Sequence, residues 1–332
     1  MLKIYSLLCA VLCLTSIIFP FISVAIIKTD NKTTKPSETS VTRTELSTEK
    51  NTVKVFKTAE NNTVIVDIFD YLVGAVAGEM PASFCTEALK AQTVVCYTYA
   101  LWMIEKYGQS SDSYDITDSS ALHQCYLDKE EQKEKWGDDY EKNRKIIEDA
   151  VKSVYGEYLS YNGKPAMTVF HALSGGYTMS AEDVWGEKIP YLITAEAPGD
   201  ELSSDFEETV EISCVEFRQL FEENSDTEFK NDNPSTWAKV IEKTEGGYIK
   251  KLKVGTEKFT ARDVKKILGF RSTSFKGTLK DNTFIFKVYG KGHGVGMSQY
   301  SADYMARQGS TYKDILEHFY PSTKFENNDL QI

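Results

Sequence analysis

Residues 63–108 read "TVIVDIFDYLVGAVAGEMPASFCTEALKAQTVVCYTYALWMIEKYG", and the change of rhythm inside them decides the fold. The stretch opens rich in β-branched residues, which suit strands, and turns helix-compatible around Asp70. Beyond Pro81 a second helical pattern starts. Ala88, Ala91, Gln92, Val95, Cys96, Tyr99, Trp102 and Met103 recur at i, i+3, i+4 and i+7 steps, which makes one helical stripe. Thr86 is placed to cap its start and Gly108 to stop it. Gln92 is the strongly polar member of the stripe. A buried amide needs partners, so it either bonds backbone or reaches into a site.

Working outward, "DDYEKNRKIIEDAVKSVYG" (138–156) predicts a third helix ending at Gly156. "EYLSYNGKPAMTVF" (157–170) predicts a hairpin, because Asn-Gly between two strand-like runs suits a tight turn. "YIKKLKVGTEKFTARDVKKILG" (248–269) reads strand, turn, strand, helix; "GTLKDNTFIFKVYG" (277–290) reads as another hairpin. Two short helices follow in "SQYSADYMARQGSTYKDILEHFYP" (298–321). Helices and strands are interspersed without a β-α-β alternation, which predicts an α+β fold of mixed helices and hairpins. Residues 53–327 form the expected main domain, with the acidic stretch 197–260 as a smaller peripheral lobe; no internal repeat is visible.

The 332 residues carry a formal charge of −11, which argues against nucleic acid as the main partner, since phosphate binding needs clustered cations. From Ile4 to Ile27 there is no charged residue. At about 1.5 Å per residue that span crosses a hydrocarbon core of roughly 30 Å. Its length favours an uncleaved transmembrane anchor (1–27) over a cleaved signal peptide, whose apolar region is shorter. Lys3 before the span places the N-terminus in the cytoplasm and the domain outside, in a single-pass membrane protein. Residues 28–52, "KTDNKTTKPSETSVTRTELSTEKNT", have only Val41 and Leu46 as aliphatic residues and read as a solvated tether. Cys85, Cys96, Cys125 and Cys214 are too few for a disulfide scaffold, leaving free thiols, one bridge or partial metal ligands.

Glu79 stands at the end of an apolar run, two residues before Pro81. It either faces water at a bend or is kept partly dry, which favours the protonated acid. Such an acid can protonate a glycosidic oxygen. Ordinary glycosidases need a second carboxylate, and spacing singles out none here. One acid is enough if a hydroxyl of the substrate is the nucleophile. "YGKGHGVGMSQY" (289–300) matches neither a dinucleotide fingerprint nor a P-loop. Its glycines at every second position suit close backbone approach or positive φ, with His293 either a turn residue or part of a site. Ser174 is not in a nucleophile elbow, and a binding role suits it better. His123 and Cys125 supply at most half a zinc site, with no partner pair in view.

Four segments, in order, resemble the stage II sporulation protein D family: "YLVGAVAGEMPASFCTEALKAQTVVCYTYAL", "VFHALSGGYTMSAEDVWGEKIPYL", "GFRSTSF" and "GHGVGMSQYSADYMARQGSTYKDILEHFYPST". The resemblance implies a membrane-anchored lytic transglycosylase acting on peptidoglycan during engulfment. It would cut MurNAc–GlcNAc bonds of glycan strands lacking stem peptides and leave 1,6-anhydro-MurNAc ends. It would work with the amidase stage II sporulation protein P and with stage II sporulation protein M, between mother-cell and forespore membranes. The family's catalytic glutamate falls on Glu79. Gln92, Tyr99, Ser174, Tyr177, His293, Gln299 and Tyr300 lie in family-like segments and can bond or stack on sugars. Tyr97 stands where the family has arginine. In "ITDSSALHQCY" (116–126) Ile116 replaces the first cysteine of the zinc motif of some clostridial members, so no zinc or other cofactor is expected. The alternative is a glycan-binding activator of a cell-wall amidase that does not itself cut.

Overall fold

The computed structural model describes residues 51–107 and 114–330. The expected anchor and nearly all of the tether, with Gly108, lie outside them. Among the described residues no helix is long and apolar enough to cross a membrane.

The mixed α+β architecture follows from two hydrophobic cores. Strands β1 (Thr52–Lys57) and β2 (Asn62–Asp67) form an antiparallel hairpin, and β3 (Ile116–Thr117) adds to β1 in parallel. β2 runs directly into the helix Ile68–Glu79, whose start is capped by the Asp67 carboxylate accepting from Phe69 N. That helix is buried from Tyr71 to Ala77. The long helix Thr86–Tyr107 is buried at every position from Ala91 to Ala100. The predicted stripe is therefore part of a helix enclosed nearly all round. It packs against the 68–79 helix, the helix Tyr140–Ser153, the C-terminal helices Gln299–Arg307 and Tyr312–Phe319, and β4 (Glu157–Tyr161).

The Asn-Gly hairpin forms as expected. Asn162 and Gly163 take φ of 53° and 76° and join β4 to β5 (Lys164–Pro165), while β14 (Lys324–Asn327) covers the other side of β4. The parallel pair β6 (Phe170–His171) and β13 (Met297–Ser298) brings the 170s beside the 290s. Gly296 explains the glycine rhythm there. Its φ is 72°, and a Cβ would lie 1.9 Å from Val169 O.

The second core gathers Phe217, Phe221, Phe270, Phe275, Phe284 and Phe286. Two three-stranded antiparallel sheets carry it with the helices Cys214–Asn224 and Ala261–Leu268; one of them has β9 (Ile249–Val254) between β8 (Ala238–Lys243) and β10 (Glu257–Thr260). Its members run from Ile212 to Val288. The acidic 197–260 stretch thus supplies only part of this core. The hairpin β11 (Ser274–Lys280) and β12 (Thr283–Tyr289) completes it, because β7 (Glu207–Ser213) pairs along the whole of β12.

Candidate active site

Glu79 is the last residue of its helix and is half-buried. Gly74 and Gly78, one turn apart, flatten the helix face that precedes it. A Cβ on Gly74 would lie 2.4 Å from Leu127 O, and one on Gly78 would lie 2.6 Å from Cys125 Sγ. The 125–127 segment therefore lies flush on the helix, and Cys125 N–H donates to Glu79 Oε1 at 2.5 Å. The segment is fastened at its far end by Lys57, 2% exposed, which pairs with Asp128 at 3.1 Å and Glu131 at 2.6 Å.

Gln299 opens the helix Gln299–Arg307, which is N-capped by the Ser298 hydroxyl. Its side-chain amide donates to Gln92 Oε1 at 3.3 Å and lies close enough to Glu79 to favour the charged carboxylate. Gln92 in turn donates to Cys96 Sγ at 3.2 Å. Both glutamines are buried, so the polar position in the long helix serves the acid through a relay of amides. Burial raises the Glu79 carboxyl above the usual carboxylate range. The Cys125 N–H, Gln299 and the Lys135 ammonium oppose the rise, in that order. The result is an acid that holds its proton more firmly than a surface glutamate, with donors in place to receive the anion.

An aromatic rim adjoins it. Tyr300, 38% exposed, meets Phe84 edge to face at 5.4 Å between centroids. The turn after Glu79 is tied to the same helix: Cys85 N–H donates to Asp303 Oδ1 at 2.6 Å, and Arg307 holds the other carboxylate oxygen at 2.7 Å.

Ser174 and His293 belong to a neighbouring network. The buried Ser174 hydroxyl lies 2.5 Å from His171 Nε2, while His171 Nδ1 lies 3.1 Å from Val295 O. Ser174 N–H donates to Asp200 Oδ2 at 2.6 Å, and Ser298 donates to the same carboxylate at 2.8 Å. Asp200 touches Ser174 and Ser298 but makes no hydrogen bond to His171 among the described residues, so the three do not form a catalytic relay. They fix the loops behind Gln299. Burial lowers His171 to about 3 and His293 to about 4, and raises Asp200 to about 7. The His293 ring lies 5.7 Å from His171 and 5.5 Å from Trp185. Tyr99 is buried against Trp102, and Tyr177 is exposed beside Gly246 of the second lobe. The structure thus gathers Glu79, Gln92 and Gln299, with Tyr300 on the rim, and sets Ser174, His293, Tyr99 and Tyr177 outside that cluster.

His123 and Cys125 serve other ends. His123 Nδ1 accepts from Thr117 N at 2.9 Å, and burial pushes the Cys125 thiol up to about 11. Among the described residues no group of three or more His, Cys, Asp or Glu could hold a metal, and the four described cysteines are free. Three participants escaped the sequence reading: the Cys125 amide, Phe84 and Lys135. The Gly74–Gly78 spacing was the available signal for the first, and Pro81 for the last.

A family model described as "Stage II sporulation protein" matches residues 57–161. The chain is 34% identical over 278 residues to the stage II sporulation protein D of Bacillus subtilis (strain 168), covering 83% of this chain and 79% of that protein. The stage II sporulation protein D of Bacillus amyloliquefaciens is 33% identical over the same shares. A protein named amidase enhancer, from Bacillus subtilis (strain 168), is 27% identical over 76% of this chain and 40% of its own length.

Proposed function

The chain belongs to the stage II sporulation protein D family of sporulation-related cell-wall proteins, and from that footing we propose that it is a peptidoglycan lytic transglycosylase with Glu79 as its acid and base. The supporting observation is the half-buried Glu79 carboxyl, its pKa raised by burial, between the Cys125 N–H and Gln299. Protonated Glu79 gives its proton to the glycosidic oxygen as the bond to C1 of MurNAc breaks. The carboxylate left behind is held by the Cys125 N–H and the Gln299 amide. It then takes the proton of the C6 hydroxyl of the same sugar as that oxygen closes on C1. The proton count balances and no water is consumed, so one carboxyl suffices where hydrolysis uses two. Tyr300 and Phe84 offer an apolar face to a pyranose ring beside the acid. In this reading the protein is anchored by residues 1–27 and acts on strands that an amidase, stage II sporulation protein P, has stripped, in company with stage II sporulation protein M.

The test is product analysis. The full chain, incubated with peptide-free glycan strands, releases anhydro-MurNAc ends seen by mass spectrometry. Glu79→Gln lowers that release by about 10²–10⁴-fold while the melting transition is retained. Undiminished release by the amide variant removes Glu79 from its role.

The likeness to the amidase enhancer favours a second reading, in which the domain grips glycan and stimulates an amidase without cutting. Amidase stimulation with anhydro ends absent would establish it.

A further inference from the structure

The helix Lys129–Trp136 packs on the 68–79 helix, and Lys135 Nζ donates to Ala77 O at 2.8 Å. That carbonyl is an orphan, because the residue four positions on is Pro81 and has no N–H to give. The bond pins an ammonium to the last turn of the helix that ends in Glu79. An ammonium has three donors. Among the described residues Lys135 makes one hydrogen bond and no ion pair, and its side chain is exposed. Its charge reaches both Glu79 and Cys125.

The chemistry of the glycan gives such a cation a use. The bond to be cut is at C1 of MurNAc, and the lactyl ether hangs from O3 of that same ring. A strand that presents its glycosidic oxygen to Glu79 carries the lactyl group within one sugar ring of the acid. When a stem peptide is attached, the lactyl carbonyl is an uncharged amide. When the peptide is gone, it is a carboxylate, which a charge-assisted hydrogen bond from a pinned ammonium would favour. Without a cation, that anion would sit beside the Glu79 carboxylate formed during the reaction.

We propose that Lys135 is the specificity contact that reads the free lactyl carboxylate of a peptide-stripped MurNAc at Glu79; this rests on the glycan-cleaving reading above. Lys135 would thereby convert the loss of the stem peptide into affinity.

The experiment measures binding, so it does not depend on turnover. The full chain carrying Glu79→Gln is titrated with three oligomers of equal length: peptide-free glycan, the same glycan with its lactyl carboxylates converted to methylamides, and chitooligosaccharide, which has no lactyl group. The free acid is expected to bind about tenfold more tightly than the other two. Adding Lys135→Gln, which keeps a donor for Ala77 O and removes the charge, is expected to abolish that preference by weakening the free acid alone. Lys135→Arg is expected to retain it. Equal binding of all three by the parent, or an equal loss for all three in Lys135→Gln, overturns the proposal and leaves the glycan-binding reading standing. Failure of all three to bind the parent overturns both.

Discussion

The main-chain N–H of Cys125 reaches the Glu79 carboxylate across 46 residues of chain, at 2.5 Å, because Gly78 presents no Cβ between them. Only proline would remove this main-chain donor, and it would also restrict the backbone, so the relationship is tested from the glycine side.

Gly78→Ala places a methyl 2.6 Å from Cys125 Sγ and 3.0 Å from its Cβ. Overpacking of this kind costs about 1–3 kcal/mol and lifts the Cys125 amide from the acid. A lowered melting temperature is expected together with lost anhydro-sugar release. Cys125→Ala in the same chain should recover part of both, since it removes the nearer clash. No recovery would mean that the thiol is not the obstacle.

Gln299 stabilises the charged form of Glu79 and so holds its pKa down against the rise caused by burial. In Gln299→Leu the acid should keep its proton to higher pH. The alkaline fall of kcat is then expected at higher pH than in the parent, alongside a lower maximum. A fall that stays in place or moves to lower pH would contradict that influence of Gln299 on the acid.

Tyr300 is placed to contribute stacking rather than proton transfer. Tyr300→Ala is expected to raise KM roughly 3- to 10-fold with little change in kcat, the pattern of lost uniform binding. Steady-state kinetics on peptide-free strands checks it; an equal fall in kcat would place the ring among the transition-state contacts.

Stability should respond to pH through the network behind the site. His171 and His293 have folded values near 3 and 4 against an ordinary 6.5, so between these limits the unfolded chain binds protons that the folded chain does not. Their contribution is complete above pH 6.5 and is lost on acidification. Asp200 acts in the opposite sense. Its folded value near 7 lies above the ordinary 3.8, so its contribution is complete below 3.8 and is lost as pH rises towards 7. Asp200→Asn should therefore show a steeper loss of stability between pH 6.5 and 4.5 than the parent. Urea unfolding at several pH values measures the two slopes, and equal slopes would refute the assignment.

Much of the scaffold was legible because local chemistry dictates it. Asn162-Gly163 takes the positive φ values its turn requires, and the 138–156 pattern yields the helix Tyr140–Ser153. Gln92 drew notice as a polar residue on an apolar face, and its partner Gln299 proved to be 207 residues away. The site itself was only half legible. Glu79 stood out by its place before Pro81, yet its donor is a main-chain N–H, which every residue but proline carries. His123 and Cys125 attracted attention for their side chains, whereas Cys125 serves the site through its backbone. Composition marks the acidic stretch 197–260, whereas the second core is built on phenylalanines continuing to Phe286, which carry no such compositional signal.

Gln299 is carried to the acid by the pairing of β13 with β6 and by the packing of the 299–307 helix on the long helix. Without the final tenth of the chain, Glu79 would keep the Cys125 N–H and the Lys135 charge but lose its amide neighbour. Trimming the chain ahead of Gln299 would strip the acid of that counterweight while sparing the helix that carries it.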